Sequence, residues 1–179
     1  MIRITGGTLR GRILEGPVPD GVRPTASRVR EAVFSMVGQD LTGWSMLDLF
    51  GGIGLMSLEA ASRGAAPVTV VDKNPAAAVR IRAHAARLGV ALEVRIGDAA
   101  RLELPLADLV YLDPPFREPI APWIFRASAL CGRVLVAEAR AGVEWPDPPP
   151  GFVLDRARTY GDTAVAVYVR EAAADAREA

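Results

Sequence analysis

The chain has 179 residues, of which 50% are apolar and 23% charged, and its formal net charge is zero. The length predicts one domain, or one domain with a short extension, and the composition is that of a globular protein. Cys131 is the sole cysteine and His84 the sole histidine. A disulfide framework, a cysteine zinc site, a multi-histidine metal site and a histidine-containing triad are therefore excluded. Because neither an apolar leader nor a run of 18 apolar residues occurs, we expect a cytoplasmic protein that does not cross a membrane.

The first 36 residues carry an excess of positive charge, with six arginines against three acidic residues. Residues 2–5 alternate apolar and polar side chains, Gly6-Gly7 follows, and residues 8–14 come next. This pattern predicts a β-hairpin with its arginines on one face. The prolines and glycines of residues 15–23 predict a linker between this hairpin and the next element.

A helix is predicted after the linker. Thr25 or Ser27 is expected to be its N-cap, because hydroxyl oxygens accept hydrogen bonds from the first free N–H groups, and Gly38 is expected to end it. Its apolar stripe comprises Ala26, Val29, Val33, Met36 and Val37. Arg28 and Arg30 are expected to lie off this stripe.

From residue 45 onwards, strands and helices alternate. Strands are predicted over 46–49, 68–71, 92–96, 109–112 and 134–137, and helices over 53–63, 74–88 (with Asn74 as N-cap) and near 120–130. Two more strands, 152–159 and 164–169, are joined at Gly161-Asp162 and predict an antiparallel hairpin. The alternation predicts an α/β fold with a mostly parallel sheet and helices on both faces. We divide the chain into an N-terminal extension (1–40), a main domain (41–170) and a frayed acidic tail (171–179).

The first candidate site is the loop Asp48-Leu49-Phe50-Gly51-Gly52-Ile53-Gly54. It follows the first strand of the sheet and opens a helix, which is where doubly wound sheets bind ligands. Ser57 stands where a dinucleotide-binding fingerprint has its third glycine, so the loop is less suited to bind the pyrophosphate of a dinucleotide. A plain tight turn is the alternative.

Two carboxylates end the next two strands. Asp72 follows the last glycine of the loop by 18 residues, where a carboxylate can accept both hydroxyls of a ribose. Asp98 follows the third strand and could reach an adenine edge. An ordinary strand-end acid for Asp72 and a capping aspartate for Asp98 remain the alternatives.

The second candidate site is Asp113-Pro114-Pro115-Phe116, directly after an apolar strand. Two prolines cannot continue a sheet, and they remove two N–H donors. The Asp113 carboxylate and the Pro114 carbonyl remain as acceptors beside an aromatic ring, an array that suits a planar base with an exocyclic amine. Acceptors for both amine hydrogens favour a localised nitrogen lone pair, and Phe116 can stack on the ring.

These two motifs resemble class I S-adenosylmethionine-dependent methyltransferases that act on amino groups of nucleic-acid bases. Three N-terminal segments narrow the resemblance: Gly6-Gly7-Thr8-Leu9-Arg10-Gly11-Arg12, Arg23-Pro24-Thr25, and Arg28-Val29-Arg30-Glu31 with Phe34. They are similar to the bacterial 16S ribosomal RNA guanine-N2 methyltransferase family, the small-subunit methyltransferase D type. The resemblance covers about residues 2–170. It implies a Rossmann-like, mostly parallel seven-stranded sheet with an antiparallel C-terminal hairpin, plus the N-terminal hairpin and helix.

The resemblance also implies roles for single residues. The methionine part of S-adenosylmethionine would be held by Asp48, Phe50, Gly51, Gly52 and Gly54. Asp72 would bind the ribose, Lys73 would lie beside the adenine, and Asp98 would accept from the adenine amine. The catalytic residues that hold the target guanine would be Asp113, Pro114, Pro115 and Phe116. RNA would be bound by Arg3, Arg10, Arg12, Arg23, Arg28 and Arg30.

The reaction implied by the resemblance is methylation of a guanine N2 amine in 16S ribosomal RNA, at nucleotide 966, within the small subunit or its assembly intermediate. We expect a monomer that uses no metal. Two alternatives stay open: a DNA amino-methyltransferase, because the Asp-Pro-Pro-Phe box is shared with such enzymes, and a non-catalytic RNA-binding relative. We expect no DNA target-recognition domain in a chain of this length, and the intact motifs argue against a non-catalytic protein.

Two residues outside these motifs carry simpler expectations. Cys131 precedes the fifth strand of the sheet and is expected to be a buried structural residue. His84 lies among arginines on a predicted helix and is expected to be solvated.

Overall fold

The computed structural model describes residues 2–14 and 25–171. Its elements in chain order are β1 (Ile2–Arg3), β2 (Ile13–Leu14), α1 (Ser27–Val37), β3 (Met46–Asp48), α2 (Leu55–Ser62), β4 (Val68–Asp72), α3 (Pro75–Leu88), β5 (Glu93–Ile96), β6 (Ala107–Leu112), α4 (Ile120–Ser128), β7 (Cys131–Arg140), β8 (Phe152–Tyr160) and β9 (Thr163–Arg170). The predicted linker, Arg23 within it, and residues 172–179 of the predicted tail lie outside the described residues.

Seven strands form one sheet in the order β5-β4-β3-β6-β7-β9-β8. The first five of these are parallel, and β9 pairs antiparallel with both β7 and β8. The predicted α/β fold with an antiparallel C-terminal hairpin is thus confirmed. The strand order reverses between β3 and β6, so the residues that follow these two strands meet at the crevice where open α/β sheets bind ligands.

Both faces of the sheet are covered by helices. Leu109 and Tyr111 of β6 pack with α1, α2 and α3 in one apolar cluster, and Val110 and Leu112 pack with α4 in another. Successive side chains of a strand point to opposite faces, so a strand buried on both sides needs an unbroken apolar run. This explains why β6 shows no alternation in the sequence.

The N-terminal hairpin is confirmed, but its paired strands, β1 and β2, have only two residues each. The connection between them docks on the end of α2. The Thr8 N–H donates to the Ser62 carbonyl at 2.7 Å, and the Ser62 hydroxyl donates to the Gly6 carbonyl at 2.6 Å. A Cβ on Gly7, which has φ of 72°, would lie 1.9 Å from the Ser62 carbonyl oxygen. This close approach to α2 requires glycine.

Two local predictions are wrong. Helix α1 begins after Ala26, and no side chain caps it; the Thr25 hydroxyl lies 3.5 Å from the Tyr111 hydroxyl instead. His84 is buried, with its Nδ1 3.0 Å from the Ile53 carbonyl oxygen. The imidazole is buried because it packs under the glycine loop, a contact between parts of the chain that helical periodicity does not encode.

Candidate active site

The glycine loop crosses the carboxyl ends of β3 and β4. The Gly51 N–H donates to the Val71 carbonyl at 2.8 Å, and the Gly54 N–H donates to the Gly51 carbonyl at 2.7 Å. A Cβ on Gly51 would lie 2.6 Å from Val70 Cγ1, so only glycine lets the loop pack this closely on the sheet. Gly52, by contrast, has φ of 55°, and a Cβ there would meet no atom within 4 Å. The loop is therefore packed tightly on its sheet side and open at Gly52.

Asp48 lies buried beneath this loop. Its two carboxylate oxygens accept from the Ser57 hydroxyl at 2.7 Å and from the Phe50 N–H at 3.1 Å. Burial raises the pKa of Asp48 from 3.8 to about 6, although the bonds from Ser57 and Phe50 lower it. In the sequence, Ser57 was notable only because it replaces the third glycine of a dinucleotide fingerprint. In the structure, its hydroxyl holds the Asp48 carboxylate, which also binds the loop at Phe50.

The stability of the protein should depend on pH through Asp48. Its pKa is higher in the native than in the unfolded state, so its stabilising effect is complete below about pH 4 and is lost as the pH rises through about 6. The difference between 3.8 and about 6 corresponds to about 3 kcal/mol. Urea unfolding between pH 4 and 7 should show this loss in the wild type and not in Asp48→Asn. Identical pH profiles for the two proteins would contradict it.

Asp72 ends β4 beside the loop. Its Oδ2 accepts from the Gly52 N–H and its Oδ1 from the Asn74 N–H, both at 2.8 Å. A carboxylate offers about four acceptor sites, so holding the loop and binding a ligand hydroxyl are compatible roles. The Gly97 N–H donates to the Asp72 carbonyl at 3.0 Å, which brings the end of β5 alongside.

The other two predicted cofactor residues lie at the surface of this edge. Lys73 and Asp98 are both exposed. Asp98 accepts from the Ala100 N–H at 2.9 Å and so caps the turn that follows β5. The other carboxylate oxygen of Asp98 lies 3.6 Å from Arg101 Nε. The proposed contact of Asp98 with an adenine amine stays a prediction.

Asp113 and the glycine loop line the same cleft, together with Thr25 and Tyr111. The apolar wall of this cleft is formed by Phe50, Ile53, Leu55 and Met56. The structure thus brings together two motifs that are more than fifty residues apart in the sequence, because they follow the adjacent strands β3 and β6. Carboxylates, open backbone and apolar side chains in one cleft are the surroundings that a mixed polar and apolar ligand needs.

The rest of the Asp-Pro-Pro-Phe box faces a second cavity. Pro114, Pro115 and Phe116 line a space of about 260 Å³ with the end of β7 and residues 141–143. The Phe116 side chain is 37% exposed. The box therefore lies between the cleft of the glycine loop and a neighbouring cavity of base size, with Asp113 on one side and the aromatic ring on the other.

A buried hydrogen-bond network connects the two spaces, and sequence reasoning missed it. The Tyr111 hydroxyl donates to Glu138 Oε1 at 2.6 Å. Tyr111 lines the cleft, and Glu138 lines the second cavity. A glutamate directly after the apolar run of residues 134–137 in β7 was the available signal, since a buried carboxylate requires a hydrogen-bond partner.

The N-terminal arginines divide into two groups. Arg3, Arg10, Arg12 and Arg28 are exposed. Arg30 is 3% exposed, so the prediction that it lies off the buried face is wrong. Its guanidinium donates to Glu59 at 2.9 Å, to the Arg3 carbonyl at 2.7 Å and to the Thr25 carbonyl, which leaves no surface for a phosphate.

Cys131 is buried, and burial raises its pKa to about 12; its expected structural role is confirmed. In residues 2–14 and 25–171, no three potential metal-ligating side chains come together. Within the same residues, no helix has the length and apolarity needed to cross a membrane.

The strand order, with its single reversal and the antiparallel pair at one edge, defines a Rossmann-like domain of the methyltransferase class. The model of the family described as "Conserved hypothetical protein 95" matches residues 2–169, and the chain belongs to this family. The Ribosomal RNA small subunit methyltransferase D of Escherichia coli (strain K12) is 32% identical over 96% of this chain and 91% of its own length. The family resemblance predicted from the motifs is thus confirmed.

Solved structures agree with this assignment. The structure of yhhF from Escherichia coli superposes with a TM-score of 0.82 at 32% identity, covering 96% of this chain and 98% of its own. A hypothetical protein of Thermus thermophilus superposes with a TM-score of 0.77 at 26% identity, covering 93% and 98%.

Proposed function

We propose that this protein transfers a methyl group from S-adenosylmethionine to the exocyclic N2 amine of a guanine in 16S ribosomal RNA. The family resemblance points to nucleotide 966, within the small subunit or its assembly intermediate. The observation that carries this proposal is the cleft that Asp113 shares with the glycine loop. The name of the Escherichia coli relative, a ribosomal RNA small subunit methyltransferase, supports the choice of RNA.

The residues of the cleft, with the carboxylates that follow the neighbouring strands β4 and β5, fit S-adenosylmethionine. Asp72 and Asp98 offer carboxylates for ribose hydroxyls and an amine, and the open face at Gly52 lets a ligand approach the backbone. The buried Asp48 and the apolar wall around Phe50 suit the methionine part. When bound, this cofactor supplies an electrophilic methyl carbon on a sulfonium.

The chemistry proposed for the box is activation of a poor nucleophile. Asp113 and the Pro114 carbonyl accept the two amine hydrogens, which favours a localised lone pair on N2. That lone pair forms the bond to the methyl carbon while the carbon–sulfur bond breaks and its electrons pass to sulfur. The surplus proton on N2 leaves to Asp113 or to water. Positioning and preorganised acceptors carry the rate, and the target base must leave its stack to reach them.

Labelled methyl transfer tests the proposal against its two alternatives. Small-subunit particles that carry unmodified RNA should be labelled, and duplex DNA should not. Label in DNA instead would favour a DNA amino-methyltransferase. Absence of label in both, with cofactor binding demonstrated by calorimetry, would favour a non-catalytic RNA-binding relative.

The exposed hairpin arginines give a second, independent prediction. If Arg10 and Arg12 contact phosphates, replacing both by alanine should reduce the slope of log affinity against log salt by about 0.7–0.9 per lost contact. The affinity for S-adenosylmethionine should not change. Filter binding to small-subunit RNA at several salt concentrations measures the slope.

A control with the same loss of charge is available on strands of the main sheet. Arg133 pairs with Asp108 near the amino ends of β6 and β7, and Arg156 pairs with Asp155 on the edge strand β8. Replacing both by alanine should leave the salt slope at its wild-type value. If the two double variants behaved alike, the hairpin would not be part of the RNA-binding surface.

A further inference from the structure

We propose that Glu138 reads the N1–H group of the target base and thereby restricts the site to guanine. This inference rests on the proposed methyl transfer and adds a specificity-determining residue to it. None of the sequence motifs includes Glu138, which lies within β7, the strand next to the one that precedes the Asp-Pro-Pro-Phe box.

The first argument is position. Glu138 lines the cavity of about 260 Å³ whose other wall contains Pro114, Pro115 and Phe116. Pockets for larger, drug-sized ligands measure about 300–1,000 Å³, so this space suits one planar base. Phe116, whose ring is partly exposed, and Glu138, which is 2% exposed, therefore line the same small cavity.

The second argument is the complementarity of hydrogen bonds. On the Watson–Crick edge of guanine, the ring nitrogen next to the exocyclic amine is N1, which carries a hydrogen and donates. In adenine and cytosine, the ring nitrogen next to the amine carries a lone pair and accepts. An ionised carboxylate only accepts, so it attracts the guanine edge and repels the other two. Proteins that extrude a base read it by hydrogen bonds to this edge.

The third argument is that Tyr111 fixes the carboxylate. The Tyr111 hydroxyl donates to Glu138 Oε1 at 2.6 Å. Burial, followed by the charges of Glu138 and Asp113, raises the pKa of Tyr111 well above its ordinary value, so the hydroxyl remains a donor at working pH.

The proximity of Asp113 completes the arrangement. Leu112 pairs with Ala137, so the residues that follow them, Asp113 and Glu138, are neighbours on adjacent strands, and both act electrostatically on the Tyr111 side chain. In guanine, the N2 amine and N1–H are adjacent donors. Asp113 at the amine and Glu138 at N1–H would therefore engage neighbouring groups of one base.

A base analogue tests the inference directly. 2-Aminopurine keeps the amine at position 2, but its N1 carries a lone pair instead of a hydrogen. In single-turnover reactions on reconstituted small-subunit particles, the wild type should methylate guanine about 100-fold faster than 2-aminopurine at the target position. Losing one hydrogen bond to a charged group, about 1.5–3 kcal/mol, accounts for a difference of this size.

Glu138→Gln should reduce this preference to within about tenfold. With Tyr111 donating to the new carbonyl oxygen, the side-chain amide presents an N–H to the cavity, which suits the N1 lone pair of 2-aminopurine and opposes guanine. The matched control is Glu118→Gln. Glu118 is a second carboxylate of the same cavity, and it accepts from the Trp123 indole N–H at 2.9 Å. This variant shows whether any carboxylate there sets the preference, and we expect the preference to be unchanged.

Three results would overturn the inference, and each has a distinct signature. Equal rates on guanine and 2-aminopurine in the wild type would remove base reading at N1, even if Glu138→Gln failed to fold. A folded Glu138→Gln that slows both substrates by the same factor would show that Glu138 only supports Tyr111. A wild type that fails on guanine particles would overturn the proposed function itself, and the inference with it.

Discussion

Asp113→Ala is expected to lower the single-turnover rate of methyl transfer by about two orders of magnitude or more. Loss of one preorganised polar group from a transition-state site has an effect of this size. Asp113 lines the cleft beside the glycine loop, and its carboxylate would accept a hydrogen from the target amine. The fold should survive, because the change lies at a strand end and leaves Pro114 and Pro115 in place. The rate should be measured on small-subunit particles that carry unmodified RNA.

Two further variants separate the roles within the box. Asp113→Asn keeps one acceptor oxygen but removes the charge, so its rate should lie between those of the wild type and the alanine variant. Phe116→Leu should weaken capture of the substrate more than the chemical step, because the exposed ring is proposed to stack on the base. An Asp113→Ala protein with a near-normal single-turnover rate and unchanged cofactor binding would refute amine activation.

The sheet and the meeting of the two motifs could be predicted from sequence because each rests on local signals. Asn74 caps α3 through its bond from the Ala76 N–H at 2.9 Å, with Pro75 at the first helical position, as the residue types predict. Apolar runs of four to five residues predicted the positions of the parallel strands. Once those strands were recognised, the rule that ligands bind at their carboxyl ends brought Asp48 and Asp113 together.

The buried polar contacts could not be predicted, because their partners are distant in the sequence. Arg30 looks like an exposed arginine beside an apolar stripe, and only Glu59, 29 residues later on another helix, explains its burial. Glu138 and Tyr111 are 27 residues apart and meet across neighbouring strands. Helical and strand periodicities describe which face a residue occupies, but they do not record a compensating charge on another element.

Glu59 provides the second large effect, because its carboxylate joins three parts of the molecule. The side chain is fully buried between Arg30 of α1 and Arg63, which follows α2. Its oxygens also accept from the Thr5 N–H and the Thr5 hydroxyl, both at 2.8 Å. The Arg30 guanidinium in turn donates to the carbonyl of Thr25, which lines the cleft. The N-terminal hairpin is thus connected to the candidate active site through one buried carboxylate.

Glu59→Gln should lower the free energy of unfolding by about 3–5 kcal/mol, because removing one partner leaves two buried guanidinium groups without their counter-charge. This is a large part of the roughly 5–15 kcal/mol typical of a folded domain. Chemical denaturation measures the loss. Hydrogen exchange of residues 2–14 should also rise, since the hairpin loses its central acceptor.

The matched control is Glu93→Gln, which breaks the ion pair between Glu93 and Arg95 at the surface of β5. Exposed pairs contribute about 0–1 kcal/mol, so this variant should remain close to the wild type in unfolding. If Glu59→Gln lost no more stability than Glu93→Gln, the buried network would not anchor the hairpin. With the expected difference, Glu59→Gln should also weaken binding to small-subunit RNA, because Arg10 and Arg12 project from a hairpin that is no longer held against α2.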